Sequence, residues 1–258
     1  MSSIENTVLL QWLDQYLNSA NFKDYCPNGL QVEGSSTVKH IVTGVTASQA
    51  LLEAAVEQGA DTVLVHHGWF WKNEDERIRG MKKKRLAFAL KHNLNLFAYH
   101  LPLDAHPVVG NNTQLAHVLG FKQNIDTDGN PIGFGPENLI QVGHLETPRS
   151  LEQLAKHIAQ QLEREPLVVG NAQKLIQSVA WCSGGAQGFM QDAMNAGVDL
   201  YLSGEASEPN YHYAQESDTA YIGAGHHATE RYGVKALGEK IHAEFGVCVR
   251  FLDINNPI

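Results

Sequence analysis

The sequence predicts an α/β protein made of two similar domains, each a mainly parallel sheet flanked by helices. Three observations predict it. Apolar runs of strand length alternate with segments of helical periodicity along almost the whole chain. A polar stretch rich in Gly, Pro, Asn and Asp, residues 122–138, interrupts that alternation near the middle. The segments on its two sides share a pattern.

The elements follow in order. The N-terminal MSSIENTVLLQWLDQYL carries Glu5 and Asp14 and no basic stretch before an apolar one, so it predicts an amphipathic helix and not a signal peptide. IVTGVT (41–46) is a strand, and residues 47–59 a helix with Ser48 as its local cap. DTVLV (61–65) is a second strand, ending in His66-His67-Gly68. A basic helix spans 79–92, a strand 93–99 ends in His100, and Asn112–Leu119 is helical. Past the linker, 139–145 is extended and 150–165 helical. Strands at 175–182, 199–203, 219–225 and 247–253 alternate with helices near 189–197, 207–216 and 228–245. The linker sets the domains at 1–125 and 126–258.

The halves match in two ways. EQGADTVLVHHG (57–68) and NAGVDLYLSGE (195–205) each run from a helix ending in Gly, through an Asp, into an apolar strand. NLFAYHLPLD (95–104) and YIGAGHHATE (221–230) each end a strand in His with a carboxylate four residues on. His100 and His226 are 126 residues apart, as are Asp104 and Glu230. Shared α/β grammar explains the first match; two polar residues repeated at fixed spacing indicate a pseudo-repeat.

Composition excludes several classes. With 258 residues and 43% hydrophobic content, the chain is typical of soluble globular proteins. No apolar run reaches the roughly 18 residues of a membrane span. Cys26, Cys182 and Cys248 are far apart and form no CxxC, which argues against a disulfide framework or thiolate metal site and for a cytoplasmic location. A net charge of −9 disfavours broad nucleic-acid binding. The basic run Arg77, Arg79, Lys82, Lys83, Lys84 and Arg85 reads first as a solvated helix face, with phosphate or nucleic-acid contact as the alternative.

The 13 histidines stand out. His92, His117, His157 and His242 lie in polar helical company and are expected at the surface. Others sit at carboxyl ends of strands, where open α/β sheets place functional groups. Three such ends carry potential ligands: His66-His67; His100 and Asp104; and His226, His227 and Glu230. A lone strand-end histidine is ordinarily a hydrogen-bonding residue, but three polar strand ends in one chain point to a metal site. Imidazole suits zinc, iron, manganese, cobalt or nickel, and carboxylates can bridge two ions. Adjacent strand histidines normally point to opposite faces, and a turn at Gly68 would bring them together. A helix starting at HHATE would put His226 and Glu230 on one face. Asp104 is expected on a loop after Pro102. Glu205, at the strand end paralleling His66-His67, is expected near the site as a supporting group or base. Neither HExxH nor a cysteine zinc signature occurs. Gly184–Gly188 reads as a tight turn, or as a phosphate cradle. Trp69, Phe70 and Trp71 read as core packing, or as a stacking lid.

PNGLQV (27–32), GVTAS (44–48), VHHG (65–68), AYHLPLDAH (98–106) with Asn111-Asn112, SGE (203–205) and GHHATER (225–231) together resemble the GTP cyclohydrolase 1 type 2 homolog (Nif-three-like) family, in its short bacterial form. The resemblance implies two α/β domains with a dinuclear metal centre between them. It implies two divalent ions (Zn, Fe, Mn, Co or Ni) on His66, His67, Asp104, His226 and Glu230, and a homohexameric, toroidal ring with its sites facing inside. His100 becomes a near-site residue. The implied reaction is opening of the GTP imidazole ring with release of formate. Three functions stay open: hydrolysis of a nucleotide or related heterocycle, with His100 or Glu205 carrying protons; a phosphoesterase acting on damaged nucleotides; and a non-enzymatic metal-handling or ring-shaped DNA-associated protein.

Overall fold

The computed structural model describes residues 2–258. The chain divides into two compact units. The first holds the stretch up to Leu103 together with Gly233–Asn255, and the second holds Asp104–Tyr232 with Asn256–Ile258. Both are discontinuous in sequence. Among the described residues the first carries a five-stranded sheet and the second a seven-stranded one, alongside a small two-stranded ladder of Ile4–Glu5 with Thr37–Val38.

In the first unit, His40–Thr46, Thr62–His67 and Asn95–Ala98 lie side by side and parallel. The helices Gln49–Glu57 and Gly80–Lys91 connect them. Gly29–Val32 runs antiparallel beyond the third strand, and Cys248–Phe251 runs parallel beyond the first. Five consecutive residues of the central strand are fully buried, Thr62 to His66, as expected of a strand covered on both faces. Ser48 caps the first connecting helix, its hydroxyl accepting from the Leu51 amide at 3.2 Å.

The second unit repeats this plan. Leu175–Cys182, Leu200–Ser203 and Ala220–Gly223 are parallel neighbours, and Leu167–Val169 runs antiparallel beyond the third. In both units a short strand that precedes the parallel trio in sequence returns to its far edge. The second sheet is mixed, because Ile140–Ser150 lies antiparallel beside Leu175–Cys182. Phe121–Gln123 and Gly133–Phe134, at the ends of the Gly/Pro-rich stretch, pair with that strand inside the second unit. Ser150 opens Leu151–Leu162 with a capping box to Gln153. Trp181, Leu200, Leu202, Ile222, Leu154 and Ile158 belong to the apolar cluster that holds the sheet to this helix.

The short strands Ile4–Glu5, Gly29–Val32, Thr37–Val38, Phe121–Gln123, Gly133–Phe134 and Leu167–Val169 are not expected from sequence; each has only two to four residues and too little alternation to register. Asp104 lies in a one-turn helix, Leu101–Ala105, where a loop was expected. No described helix is long and apolar enough to cross a membrane.

Candidate metal-binding clusters

In the first unit the carboxyl ends of two neighbouring strands converge. Thr62–His67 ends in His66, fully buried, and His67, partly buried. Asn95–Ala98 leads through Tyr99 to His100. One ring nitrogen from each of His66, His67 and His100 falls within 4.8 Å of the others. The His66 and His67 rings are 4.5 Å apart between centroids, so the two histidines do gather in one place. Gly68 lets the chain pack closely there: a Cβ on it would sit 2.3 Å from Gln31 Oε1 and 2.5 Å from Ala98 Cβ.

Each imidazole is held through Nδ1. His66 Nδ1 is 3.0 Å from the Tyr99 carbonyl oxygen, to which it donates. His67 Nδ1 is 3.3 Å from Thr46 Oγ1. His100 Nδ1 is 2.6 Å from Asp24 Oδ1. A carbonyl or carboxylate at Nδ1 places the proton there and leaves Nε2 as the lone-pair nitrogen, the arrangement common to metal-ligating histidines. Asp24 is itself fixed, because its Oδ2 accepts from Asn28 Nδ2 at 3.0 Å and from the Leu101 amide at 2.9 Å. Burial pushes the Asp24 carboxyl up, but the bonds from His100, Asn28 and Tyr25 outweigh it and hold the group below the usual carboxylate range. Cys26 lies near this pair, and burial with the Asp24 charge pushes its thiol up to about 12, so it stays protonated. Trp69 is core, its indole N–H donating to the Ala47 carbonyl at 2.9 Å. Trp71 instead stands edge-on to His100, with centroids 5.0 Å apart.

In the second unit the helix His226–Phe245 begins on the first histidine of HHATE. His226 and Glu230 are therefore one turn apart on one face, with Nε2 and Oε2 at 3.3 Å. His226 Nδ1 meets Glu205 Oε1 at 2.7 Å. Burial lowers the His226 pKa, but the two carboxylates, Glu230 first, more than reverse this and raise it to about 9. Its Nε2 is thus a site built for a cation, whether proton or metal. Asp104 and Glu230 are both buried, and a carboxylate oxygen of one is within 4.8 Å of one of the other. Carboxylates so close repel unless a positive charge joins them. Burial, followed by Asp104 among the neighbouring charges, pushes the Cys182 thiol well up and keeps it neutral.

The residues that orient this cluster escaped the sequence. Asp104 Oδ1 accepts from Asn111 Nδ2 at 2.9 Å and Ser183 Oγ at 3.3 Å, which sets the plane of the carboxylate. Asn112 Oδ1 holds Ser183 by accepting its backbone amide at 2.8 Å. Thr229 Oγ1 accepts from the Gly184 amide at 3.0 Å and donates to the His226 carbonyl at 2.9 Å. The turn at Gly184 makes room for Glu230: a Cβ there would fall 2.1 Å from Glu230 Oε1, and its φ of +65° already favours glycine. This is the tight strand-to-helix turn expected from sequence. Neither hydrophobic periodicity nor metal-ligand spacing singles out Asp24 or Ser183; Asn111 and Thr229 stand out only within the family motifs.

A cleft of about 580 Å³ opens beside Glu205, lined also by Arg164, Leu167, Ala206 and Gly223. That size admits a nucleotide-sized ligand. The Arg164 guanidinium is steadied by the Pro257 carbonyl, at 3.2 Å from Nε and 3.1 Å from Nη2. In the basic run Arg77, Arg79, Lys83 and Lys84 are exposed while Lys82 and Arg85 are half-buried; Asp75 pairs with Arg77 and Arg79, and Glu74 with Lys82.

The family model for Duf34/NIF3 (NGG1p interacting factor 3) matches residues 5–257. A Neisseria meningitidis serogroup B protein named GTP cyclohydrolase 1 type 2 homolog is 54% identical over 248 residues, 96% of this chain and 97% of its own length. A Vibrio cholerae protein of the same name is 51% identical over 257 residues, 99% of this chain and 100% of its own. Among solved structures, protein ybgI, titled as of unknown function, matches with a TM-score of 0.91 at 47% identity, covering 99% of this chain and 100% of its own. TTHA1606 from Thermus thermophilus matches with a TM-score of 0.86 at 34% identity and the same coverage.

Proposed function

The chain belongs to the Duf34/NIF3 family, and from that premise we propose that it is a metal-dependent hydrolase of a nucleotide or related heterocycle. Two divalent ions would be held by His66, His67, Asp104, His226 and Glu230. The observation that carries this reading is His226 set between Glu205 and Glu230, with the buried Asp104 carboxylate close to Glu230. The donor set of imidazoles and carboxylates fits first-row divalent ions, and the Gly184 turn keeps space for the Glu230 carboxylate.

Bound ions would supply Lewis acidity and stabilise developing negative charge. The remaining work falls to the chain. Asn111 and Ser183 orient Asp104, and Tyr99 and Thr46 orient the histidine pair. Glu205 lines the cleft while bonded to His226, so it is placed to take a proton from the substrate side. Gln187 Nε2 donates to its other oxygen at 3.2 Å and fixes its orientation. Arg164 gives the cleft a fixed cation, suited to an anionic substrate such as a nucleoside phosphate.

The proposal includes self-association into a homohexameric ring. The edge strand Leu167–Val169, with Leu167 and Val168 exposed, offers apolar surface for contact between copies. Sedimentation analysis should then give a mass six times that of the chain.

The activity test is incubation of metal-loaded protein with GTP, measuring formate and inorganic phosphate. Formate above a His67→Ala control supports ring opening. Phosphate release without formate would redirect the assignment to phosphoester hydrolysis, and neither product across a nucleotide panel would remove nucleotides as substrates.

A further inference from the structure

We propose that Asn256–Ile258 is a displaceable strap at the rim of the second unit's cleft, and that a phosphoryl group of the ligand takes its place on Arg164. The proposal rests on the reading of this cleft as the ligand's place, and on no particular reaction.

Three observations carry it. First, the Arg164 guanidinium is spent on backbone oxygens. Its Nε and Nη2, at 3.2 and 3.1 Å, both donate to the single Pro257 carbonyl oxygen, and Nη1 donates to the Glu165 carbonyl at 3.3 Å. No carboxylate among the described residues pairs with it. The Nε–Nη2 edge of a guanidinium matches two phosphate oxygens side by side, so one neutral carbonyl oxygen leaves that fork half used.

Second, the fold positions Arg164 without help from the strap. Its amide donates to the Ala159 carbonyl at 3.2 Å, at the end of the helix Leu151–Leu162. Its side chain passes over Gly225, where a Cβ would fall 2.7 Å from Arg164 Cδ and 2.8 Å from Nε, and where φ is +105°. The Gly225 amide donates to the Gly204 carbonyl at 2.8 Å, which ties the arginine's seat to the cleft wall.

Third, the strap is lightly held. Asn256, Pro257 and Ile258 are exposed and lie in no strand or helix. Besides the Arg164 bonds, the His227 amide donates to the Ile258 backbone oxygen at 3.0 Å. The bond from the Ile258 amide to Asn256 Oδ1, also 3.0 Å, stays within the strap. Ile258 lines the cleft together with Arg164 and Leu167. An anionic phosphoryl group offers the fork two charged oxygens where Pro257 offers one neutral one, and bidentate ionic contacts are the stronger kind. Strap and ligand therefore compete for the same donors, and the apparent affinity is lowered by the fraction of molecules in which the strap is open.

The test uses the full chain with pyrophosphate as a probe free of nucleobase, beside GTP and guanosine. Affinity is read by calorimetry, and strap release by hydrogen exchange at the His227 amide. Pyrophosphate and GTP should bind and speed that exchange, and guanosine should leave it unchanged. A chain truncated after Asn255 should bind pyrophosphate and GTP about three- to tenfold more tightly. Arg164→Gln should free the His227 amide without any ligand and bind both probes about tenfold or more weakly, and truncation in that background should bring no gain. Unchanged or weaker pyrophosphate binding by the truncated chain overturns the proposal, as does slow His227 exchange in Arg164→Gln. So does the absence of pyrophosphate and GTP binding by both the parent and the truncated chain. Pyrophosphate-driven release of the strap with no turnover of any nucleotide would keep the strap and remove the hydrolase reading. Formate release with equal GTP and pyrophosphate affinity in the parent and truncated chains would keep the hydrolase and remove the strap.

Discussion

Asp61 and Asp199 occupy the same place in the two units and do the same work. Asp61 Oδ2 accepts the backbone amides of Lys39 at 2.9 Å and His40 at 3.2 Å, at the start of the first parallel strand. Asp199 Oδ2 accepts those of Gln177 at 3.0 Å and Ser178 at 2.8 Å, on the corresponding strand. Their carbonyls both accept, at 2.9 Å, from the residue that leads the third strand, Asn95 in one unit and Ala220 in the other. Each aspartate therefore links three strands at their amino ends. This is why a Gly-x-Asp step stands before an apolar strand in both halves of the sequence.

Replacing either aspartate by alanine leaves two strand amides without their acceptor. Asp61→Ala and Asp199→Ala should each cost about 1–2 kcal/mol, read from urea unfolding midpoints. The Asp199 carboxyl has a pH signature as well. Burial pushes it up, but the Ser178 and Gln177 bonds prevail and its folded pKa is lowered. Its contribution is complete above the unfolded value of about 3.9 and is lost as pH falls through the lower folded value. Stability of Asp199→Asn should therefore fall less steeply below about pH 4 than that of the parent chain; parallel curves would contradict this.

Gly184→Ala tests the space around Glu230. The added methyl overlaps Glu230 Oε1 and the backbone stays in a left-handed region. The expected outcome is a loss of metal affinity of about tenfold or more, measured by calorimetry, together with about 1 kcal/mol of destabilisation.

Asn111→Ala removes the 2.9 Å bond that sets the Asp104 carboxylate. Metal affinity should fall about 10- to 100-fold while the fold is kept, with the far-ultraviolet circular dichroism unchanged. Undiminished affinity would show that the Asn111 bond is not needed to orient Asp104.

Glu205→Gln keeps an acceptor for His226 Nδ1 and removes the proton-accepting charge in the cleft. Once a substrate is found, kcat should drop about 10²- to 10⁴-fold with metal stoichiometry intact. Loss of metal along with activity would instead make Glu205 a structural support of His226.

Removing bound metal with a chelator should lower the melting temperature, and adding back Zn²⁺ or Co²⁺ should restore it in a concentration-dependent way. A melting curve indifferent to both would argue against any resident ion.

The sequence by itself determined the α/β class, most of the helices and strands, and the strand ends that carry His66, His67, His100, Asp104, His226 and Glu230. These are local properties: hydrophobic period, turn residues and a four-residue His-to-carboxylate step can all be read along the chain. Only the tertiary structure decided that Cys248–Phe251 completes the sheet of the first unit by pairing with His40–Thr46, a strand from the far end of the chain. It alone showed that Asp24 holds His100, that Asn111 and Ser183 hold Asp104, and that Gly184 yields space to Glu230. Those contacts join segments apart in sequence, and neither spacing nor propensity encodes which distant atom a polar side chain meets once the sheets have assembled.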